Sequence, residues 1–184
     1  AIRKVCTKYD MPLFIDGARL GYALTATGND VTLEDIARIA DVFYIGGTKV
    51  GAMFGEAVVF THGNMPKNFV TLVKQHGALL AKGWLLGVQF DTLFTDDLYC
   101  RIARHANDAA DRIREVLVER GYMLTFDAPT NQIFITLDNA TSERLQRNVR
   151  LGFMEKADDT HTVMRICTSW ATTDEQVEQL IALL

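Results

Sequence analysis

One lysine, Lys49, follows a short apolar segment and two glycines, and a hydroxyl-bearing residue, Thr48, directly precedes it. The apolar segment, residues 42–45, has the length and composition of a buried strand. The glycines allow the backbone to turn sharply at the strand end and to approach a ligand closely. Open α/β sheets bind ligands at the edge where the carboxyl ends of the strands lie. Lys49 is therefore placed where a lysine can act as a nucleophile and form a Schiff base with a carbonyl group.

Two other interpretations apply to the same segment. An exposed lysine on an ordinary turn would show the same residues, so the segment alone does not establish a site. A nucleotide-binding P-loop fits poorly, because it requires glycine, lysine and then serine or threonine, whereas here Thr48 precedes Lys49. The sequence also contains no G-x-G-x-x-G fingerprint of a dinucleotide site.

A second polar group, Asp-Gly-Ala-Arg at residues 16–19, follows another short apolar segment at residues 13–15. A carboxylate just past a strand is often a turn-former, and it can equally have a functional role. Between the two groups, a capping-box pattern at residues 32–35 opens an apolar helix. A strand, a helix and a strand within about thirty residues predict a parallel crossover. Asp16 and Lys49 are then expected to lie close together at one edge of the sheet.

The remaining chain is predicted to be mostly helical up to Gly121 and then to form a small α+β domain. A strand is predicted over residues 57–60, and helices over residues 69–80, 85–93 and 97–120. The apolar line of the last helix consists of Leu98, Ile102, Ala106, Ala109, Ile113, Val116 and Leu117. Beyond Gly121, period-two patterns predict strands over residues 123–126, 133–137, 152–156 and 163–167. Helices are predicted over residues 142–147 and 172–184, the second with a capping box at residues 172–175.

The composition excludes several classes of protein. The 184 residues are 48% hydrophobic and 23% charged, with a formal net charge of -4, which is typical of a soluble globular chain. The sequence has no stripe of lysine and arginine residues, so a nucleic-acid-binding surface is not expected. No segment is long enough for a transmembrane helix. Cys6, Cys100 and Cys167 lie far apart in apolar contexts, so we expect buried, reduced thiols. The histidines lack metal-ligand spacing, and no metal site is expected.

The first residues already follow helical apolar spacing, at Ile2, Val5, Cys6 and Tyr9, with no capping residue before them. We therefore expect the sequence to open inside a helix and to lack the first part of a larger protein.

Four segments together resemble the threonine aldolase and aromatic amino acid β-eliminating lyase family, over nearly the whole chain. They are residues 16–19, Gly47-Thr48-Lys49, residues 74–83 and Met164-Arg165-Ile166. The family consists of fold-type-I enzymes dependent on pyridoxal 5′-phosphate (PLP). The resemblance implies an α/β fold of the aspartate aminotransferase-like type with a smaller C-terminal α+β domain. Residues 1–96 would form the C-terminal half of the PLP-binding large domain, residues 97–120 a connecting helix and residues 121–184 the small domain, with the N-terminal part of the large domain absent.

The resemblance also implies roles for the cofactor-binding residues. Lys49 would be the catalytic lysine that binds PLP as a Schiff base. Asp16 would keep the ring nitrogen protonated, since an opposite charge nearby favours the charged form, and PLP is an electron sink in that form. Ala18 would lie against the ring, and Thr48 would offer its hydroxyl to the phosphate.

Three further residues match basic positions of the family. Arg19 and Arg165 match the arginines that bind the substrate carboxylate, for which the planar guanidinium is suited because it binds both oxygens at once. Lys82 falls where the family places a basic residue that reaches the phosphate from a neighbouring subunit.

The reaction implied is cleavage of the Cα–Cβ bond of a β-hydroxy-α-amino acid, such as L-threonine or allo-threonine, to glycine and acetaldehyde. A β-eliminating lyase or an aminotransferase acting on another amino acid would share Asp16, Lys49 and Arg165, and is the alternative. A non-catalytic protein with the PLP fold is a second, more remote alternative. The resemblance implies a homodimer or homotetramer with a small amino acid substrate. The cysteines predict a cytoplasmic protein, and the composition predicts no nucleic-acid or membrane partner.

Overall fold

The computed structural model describes all 184 residues, Ala1–Leu184. The chain divides into two compact units. The first contains Ala1–Leu24 and Asp30–Tyr99, and the second contains Thr25–Asn29 and Cys100–Leu184. No helix is long and apolar enough to cross a membrane.

The first unit contains a three-stranded sheet and five helices. Its strands, in the order β1-β2-β3, are β1 (Phe14–Ile15), β2 (Val42–Gly46) and β3 (Glu56–Phe60). Its helices are α1 (Ile2–Lys8), α2 (Leu20–Leu24), α3 (Leu33–Ile39), α4 (Phe69–Gln75) and α5 (Trp84–Phe94). β1 pairs with β2 in parallel, and β2 pairs with β3 in antiparallel fashion. The predicted parallel pairing across a helix is therefore confirmed.

Helix α3, which connects β1 to β2, begins at the predicted capping box. Asp35 N donates to the Thr32 hydroxyl at 3.2 Å, and Thr32 N donates to the Asp35 carboxylate at 3.0 Å. The hydrogen bonds from Thr32 lower the pKa of Asp35 below its usual value. These two bonds satisfy backbone donors at the start of the helix, so the local sequence fixes where α3 begins.

The apolar residues of α1 are exposed, although the helix itself lies where it was predicted. Ile2, Val5 and Tyr9 are 69%, 56% and 63% exposed. Phe14 on β1 and Val58 on β3 are also more than half exposed. Apolar periodicity therefore located α1, α3, α5 and the strands of this unit, but α4 ends at Gln75 and not at residue 80, and α2 was not predicted. It also did not predict which apolar side chains this chain buries.

The second unit is built on a four-stranded antiparallel sheet in the order β4-β5-β7-β6. The strands are β4 (Met123–Leu124), β5 (Gln132–Asp138), β6 (Gly152–Lys156) and β7 (His161–Cys167). Its helices are α6 (Leu98–Glu119), which starts in the first unit, α7 (Asn139–Gln146) and α8 (Asp174–Leu183). The core includes Leu117, Ile135 and Leu145, each at most 1% exposed. All four predicted strands are present, with β4 shorter than expected.

Several local expectations differ from the structure. In α6, the predicted Ala106, Ala109, Ile113 and Leu117 are buried, whereas Leu98, Ile102 and Val116 are only partly buried. Tyr99, Ala103 and Ala110 are also buried and were not predicted. The prediction missed two alanines, which are small enough to pack closely, and Tyr99, whose hydroxyl is hydrogen-bonded.

The cap of α8 is Thr173 with Gln176, one residue later than predicted. The Thr172 hydroxyl instead accepts a hydrogen bond from Ser169 N at 2.8 Å. The expectation of three buried cysteines is wrong, because Cys6 and Cys100 are partly buried and Cys167, at the end of β7, is exposed.

Candidate functional site

Asp16 lies directly after β1, and both of its hydrogen bonds from within the chain reach one carboxylate oxygen. Ala18 N donates to Asp16 Oδ1 at 3.0 Å, and the Tyr44 hydroxyl donates to the same oxygen. The other oxygen, Oδ2, has no hydrogen bond within the chain. The side chain is therefore anchored through Oδ1, while Oδ2 remains free to accept a hydrogen bond.

The backbone of this turn approaches β2 so closely that only glycine fits at two positions. A Cβ at Gly17 would lie 1.8 Å from the Tyr44 carbonyl oxygen, and one at Gly46 would lie 2.6 Å from the Ala18 carbonyl oxygen. Gly46 N donates to the Gly17 carbonyl at 2.9 Å. The two strand ends are thus joined directly, and side chains leaving them share one edge of the sheet.

Lys49 lies on a tight turn just beyond β2. Val50 N and Ala52 N donate to the Gly47 carbonyl at 2.9 and 3.0 Å, and Gly51 has a φ of 97°. Val50 is completely buried, whereas Thr48 and Lys49 are exposed. Neither Lys49 Nζ nor the Thr48 hydroxyl has a partner within the chain. The turn therefore presents an amine and a hydroxyl side by side on an anchored backbone.

Two buried tyrosines, which sequence reasoning did not identify, hold these turns in place. The Tyr22 hydroxyl donates to the Lys49 carbonyl, and the Tyr22 side chain is fully buried. The Tyr99 hydroxyl donates to the Gly46 carbonyl at 2.9 Å and accepts from Gly21 N at 3.0 Å. Backbone groups at the end of β2, in the turn after it and in α2 are thereby satisfied by side chains, which limits their movement. A tyrosine inside an otherwise apolar helical line was the available signal for Tyr99.

The charges of this edge favour an ionised Asp16. The hydrogen bond from Tyr44 is the largest cause that lowers the pKa of Asp16, followed by the bond from Ala18 N, while desolvation opposes them. The Lys49 charge is near enough to lower the pKa of Asp16 further. The expectation that Asp16 and Lys49 lie close together agrees with this electrostatic coupling.

The two arginines of interest each carry a buried donor without a partner. Arg19 Nε and Arg165 Nε are both buried and make no hydrogen bond. Arg165 Nη1 donates to Gln132 Oε1 at 3.2 Å, and neither arginine forms an ion pair with an acidic residue. Since a buried donor without an acceptor is unfavourable, both guanidinium groups are suited to bind an anion that the chain does not itself supply.

The predicted site residues thus fall into three places. Asp16, Ala18, Arg19, Thr48 and Lys49 lie at or next to the joined strand ends of the first unit. Lys82 lies in the exposed turn before α5 and makes no hydrogen bond or ion pair with them. Arg165 lies on β7 of the second unit, paired with Phe134 and Gly152. The roles given to these residues remain predictions.

Comparison with known proteins gives consistent matches. A family model described as Beta-eliminating lyase matches residues 1–161. The low specificity L-threonine aldolase of Pseudomonas aeruginosa is 29% identical over 181 residues, which are 98% of this chain and 51% of that protein.

Solved structures give matches to the same family and fold. A threonine aldolase structure from Leishmania major has 40% identity and a TM-score of 0.95, covering 99% of this chain and 53% of that one. The serine palmitoyltransferase of Sphingomonas wittichii is 18% identical, with a TM-score of 0.67, and the match covers 98% of this chain and 48% of that one. At this identity, the match is evidence for the fold only. The fold is that of fold-type-I PLP-dependent enzymes, as expected. The chain spans about half the length of the curated relatives it matches.

Proposed function

The chain belongs to the beta-eliminating lyase family, and on this premise we propose that it is part of a PLP-dependent threonine aldolase. The proposed reaction cleaves the Cα–Cβ bond of L-threonine or allo-threonine to give glycine and acetaldehyde. The observation that supports the proposal is that Asp16 and Lys49 follow two strand ends joined by a hydrogen bond, near enough for the Lys49 charge to lower the pKa of Asp16. The likeness to the threonine aldolase of Leishmania major favours this substrate class over others.

The residues at this edge fit PLP by the chemistry of their donors and acceptors. Asp16 Oδ2 is a free acceptor for a protonated ring nitrogen, and Lys49 Nζ is a free amine for the aldehyde carbon. The Thr48 hydroxyl is a free donor for a phosphate oxygen. When bound, PLP would supply the electron sink that accepts the electron pair of the broken bond.

Within the proposal, each residue of the chain has one task. Lys49 would hold the cofactor covalently through Nζ, and the substrate amine would replace Lys49 Nζ on it. Asp16 keeps a proton on the ring nitrogen, because its negative charge favours the cationic form. Ala18, whose amide donates to Asp16, would pack against the ring. Thr48 binds the phosphate, and Lys82 would reach the phosphate of a neighbouring subunit.

Arg19 and Arg165 are assigned to the substrate carboxylate. Each has an unpartnered, buried Nε–H, and a carboxylate can accept from Nε–H and an Nη–H of one guanidinium together. Holding the carboxylate fixes the orientation of the bonds around Cα, and orientation of this kind supplies a large part of enzymatic rate enhancement.

The test uses the full-length protein with PLP, assayed with L-threonine and with L-allo-threonine. Formation of glycine and acetaldehyde in equal amounts is the expected result. Formation of 2-oxobutyrate and ammonia would instead identify β-elimination, and a requirement for a 2-oxo acid would identify aminotransfer. Absence of any PLP absorption in the visible range would overturn the cofactor assignment itself.

We expect Arg165→Lys to weaken substrate binding selectively. The substitution keeps the charge but removes the planar pair of donors. The loss of a charged, two-point contact should raise KM for threonine roughly 10- to 100-fold, with a smaller change in kcat. Arg147→Lys, at an exposed position in the same unit, is the matched control and should leave KM unchanged. Equal effects of the two substitutions on KM would contradict the assignment.

The proposal includes assembly of the full-length protein into a homodimer or homotetramer. Leu79, Leu80 and Trp84 are each more than half exposed and flank Lys82, the residue assigned to a neighbouring subunit. Light scattering of the full-length protein should give a mass of two or four chains. A monomer that is fully active would contradict both the assembly and the assignment of Lys82.

A further inference from the structure

Tyr44 contacts the Asp16 carboxylate, although no functional role was predicted for this residue of the apolar segment 42–45. β1 and β2 pair in parallel with Phe14 opposite Val42 and Ile15 opposite Phe43. Continuing this register by one residue brings Asp16 beside Tyr44, and the Tyr44 hydroxyl donates to Asp16 Oδ1. The ring of Tyr44 packs against Phe14, with ring centroids 6.0 Å apart. The register and this packing together fix the direction of the hydroxyl.

The two donors to Asp16 leave the carboxylate with a defined orientation. Ala18 N approaches Oδ1 from the turn at 3.0 Å, while Tyr44 approaches the same oxygen from β2. A carboxylate held at one oxygen from two directions has little freedom to rotate. Its second oxygen, Oδ2, therefore has a fixed position and a free lone pair.

We propose that Tyr44 is a positioning residue for the cofactor, holding Asp16 Oδ1 so that Oδ2 accepts the hydrogen bond of the PLP ring nitrogen. This inference rests on the proposed function, since it concerns the same cofactor. Tyr44 acts through Asp16. Its effect on the ring depends on the carboxylate.

The electrostatics of the pair are consistent with a permanent donor. The hydrogen bond with Asp16 raises the pKa of Tyr44 to about 12, so the hydroxyl keeps its proton throughout the neutral range. Glu56 on β3 adds to this rise, and Lys49 is the cation that faces Asp16. Within the chain, these are the charged groups that act on the pair.

The direction of the pH effect follows from the same contacts. Tyr44 makes the largest contribution to lowering the pKa of Asp16. Without it, the pKa of Asp16 moves up toward its usual value, and the carboxylate takes up a proton at higher pH. A neutral Asp16 no longer stabilises a protonated ring nitrogen. Acidification should therefore weaken PLP binding at a higher pH in Tyr44→Phe than in the wild type.

The experiment measures the PLP dissociation constant of the full-length apoprotein from pH 4 to 9, for wild type and Tyr44→Phe. We expect Tyr44→Phe to bind PLP about tenfold more weakly than the wild type at neutral pH, because a hydrogen bond to a charged group is lost. We also expect the loss of PLP binding on acidification, the acid limb of the pH profile, to occur at a higher pH in the variant. Phenylalanine keeps the ring that packs against Phe14, and melting of the apoprotein reports whether the variant folds. Tyr122→Phe removes a hydroxyl that donates to the Leu184 carbonyl in the second unit and should leave PLP affinity unchanged.

The decisive comparison is made in an Asp16→Asn background. There, Tyr44→Phe should change PLP affinity no further, because the two residues act as one unit. Additive losses, or an unshifted acid limb in the single variant, would overturn the inference. Failure of the wild-type protein to bind PLP is a different result, which would overturn the proposed function instead.

Discussion

Replacing Lys49 by alanine is expected to abolish both the absorption band of the Schiff base between PLP and the protein and the aldolase activity of the full-length protein. Lys49 Nζ is a free amine on the turn after β2, and its charge lowers the pKa of Asp16. Loss of a residue that forms a covalent bond in catalysis typically lowers kcat by roughly four to six orders of magnitude. Residual PLP could still bind through Asp16 and Thr48, but without a covalent link its spectrum should resemble that of free PLP.

The backbone of the turn should tolerate this substitution. The Lys49 side chain is exposed, and the contact from Tyr22 is made to the Lys49 carbonyl, which alanine retains. The melting temperature of the apoprotein is therefore expected to stay close to that of the wild type. Lys67→Ala, at an exposed lysine elsewhere in the first unit, is the control and should keep both spectrum and activity. A Lys49→Ala protein that keeps its activity would refute the assignment of the catalytic lysine.

The sequence was sufficient to predict how β1, α3 and β2 follow one another. Each of them has a strong local signal: two short apolar segments, and a Thr32 capping box that fixes the helix start. The parallel pairing then follows from general rules of chain connection. Local signals of this kind do not depend on what the rest of the molecule does, which is why the predictions for these elements agree with the structure.

Contacts between strand ends were harder to predict, because they depend on register. Asp16 was recognised as a candidate, but its partner Tyr44 was not, since the pairing of Phe14 with Val42 could not be read from composition. The same applies to Tyr22 and Tyr99, whose hydroxyls bind backbone carbonyls far away in sequence. Hydrophobic patterns treat tyrosine as a core residue and give no information about where its hydroxyl donates.

The burial of apolar faces was predicted least well. The α1 pattern predicted a helix, yet Ile2, Val5 and Tyr9 are exposed. In α6, the alanines at 103, 106 and 110 are buried more deeply than Ile102 and Val116. Close packing favours small residues where two secondary-structure elements approach one another. A hydrophobicity scale contains no information about the distance between elements.

Replacing Gly17 by alanine is expected to destabilise the first unit strongly and to weaken PLP binding with it. The new Cβ would lie 1.8 Å from the Tyr44 carbonyl oxygen and 3.0 Å from its carbonyl carbon. Both are backbone atoms of β2, so no side-chain rotation relieves the overlap. The turn must move away from β2, which strains the 2.9 Å hydrogen bond from Gly46 N to the Gly17 carbonyl. We expect a loss of about 3 kcal/mol or more in the free energy of unfolding, measured by urea denaturation.

Gly87→Ala is the matched control, because it adds the same methyl group in the same unit. Gly87 lies within α5, and a Cβ there would meet nothing within 4 Å. Alanine should stabilise that helix by roughly 0.5–1 kcal/mol relative to glycine. The two substitutions are therefore expected to change stability in opposite directions. If Gly17→Ala had the stability and PLP affinity of the wild type, the close approach of the Asp16 turn to β2 would not be required for the site. Asp16 would then be held by its side-chain contacts alone.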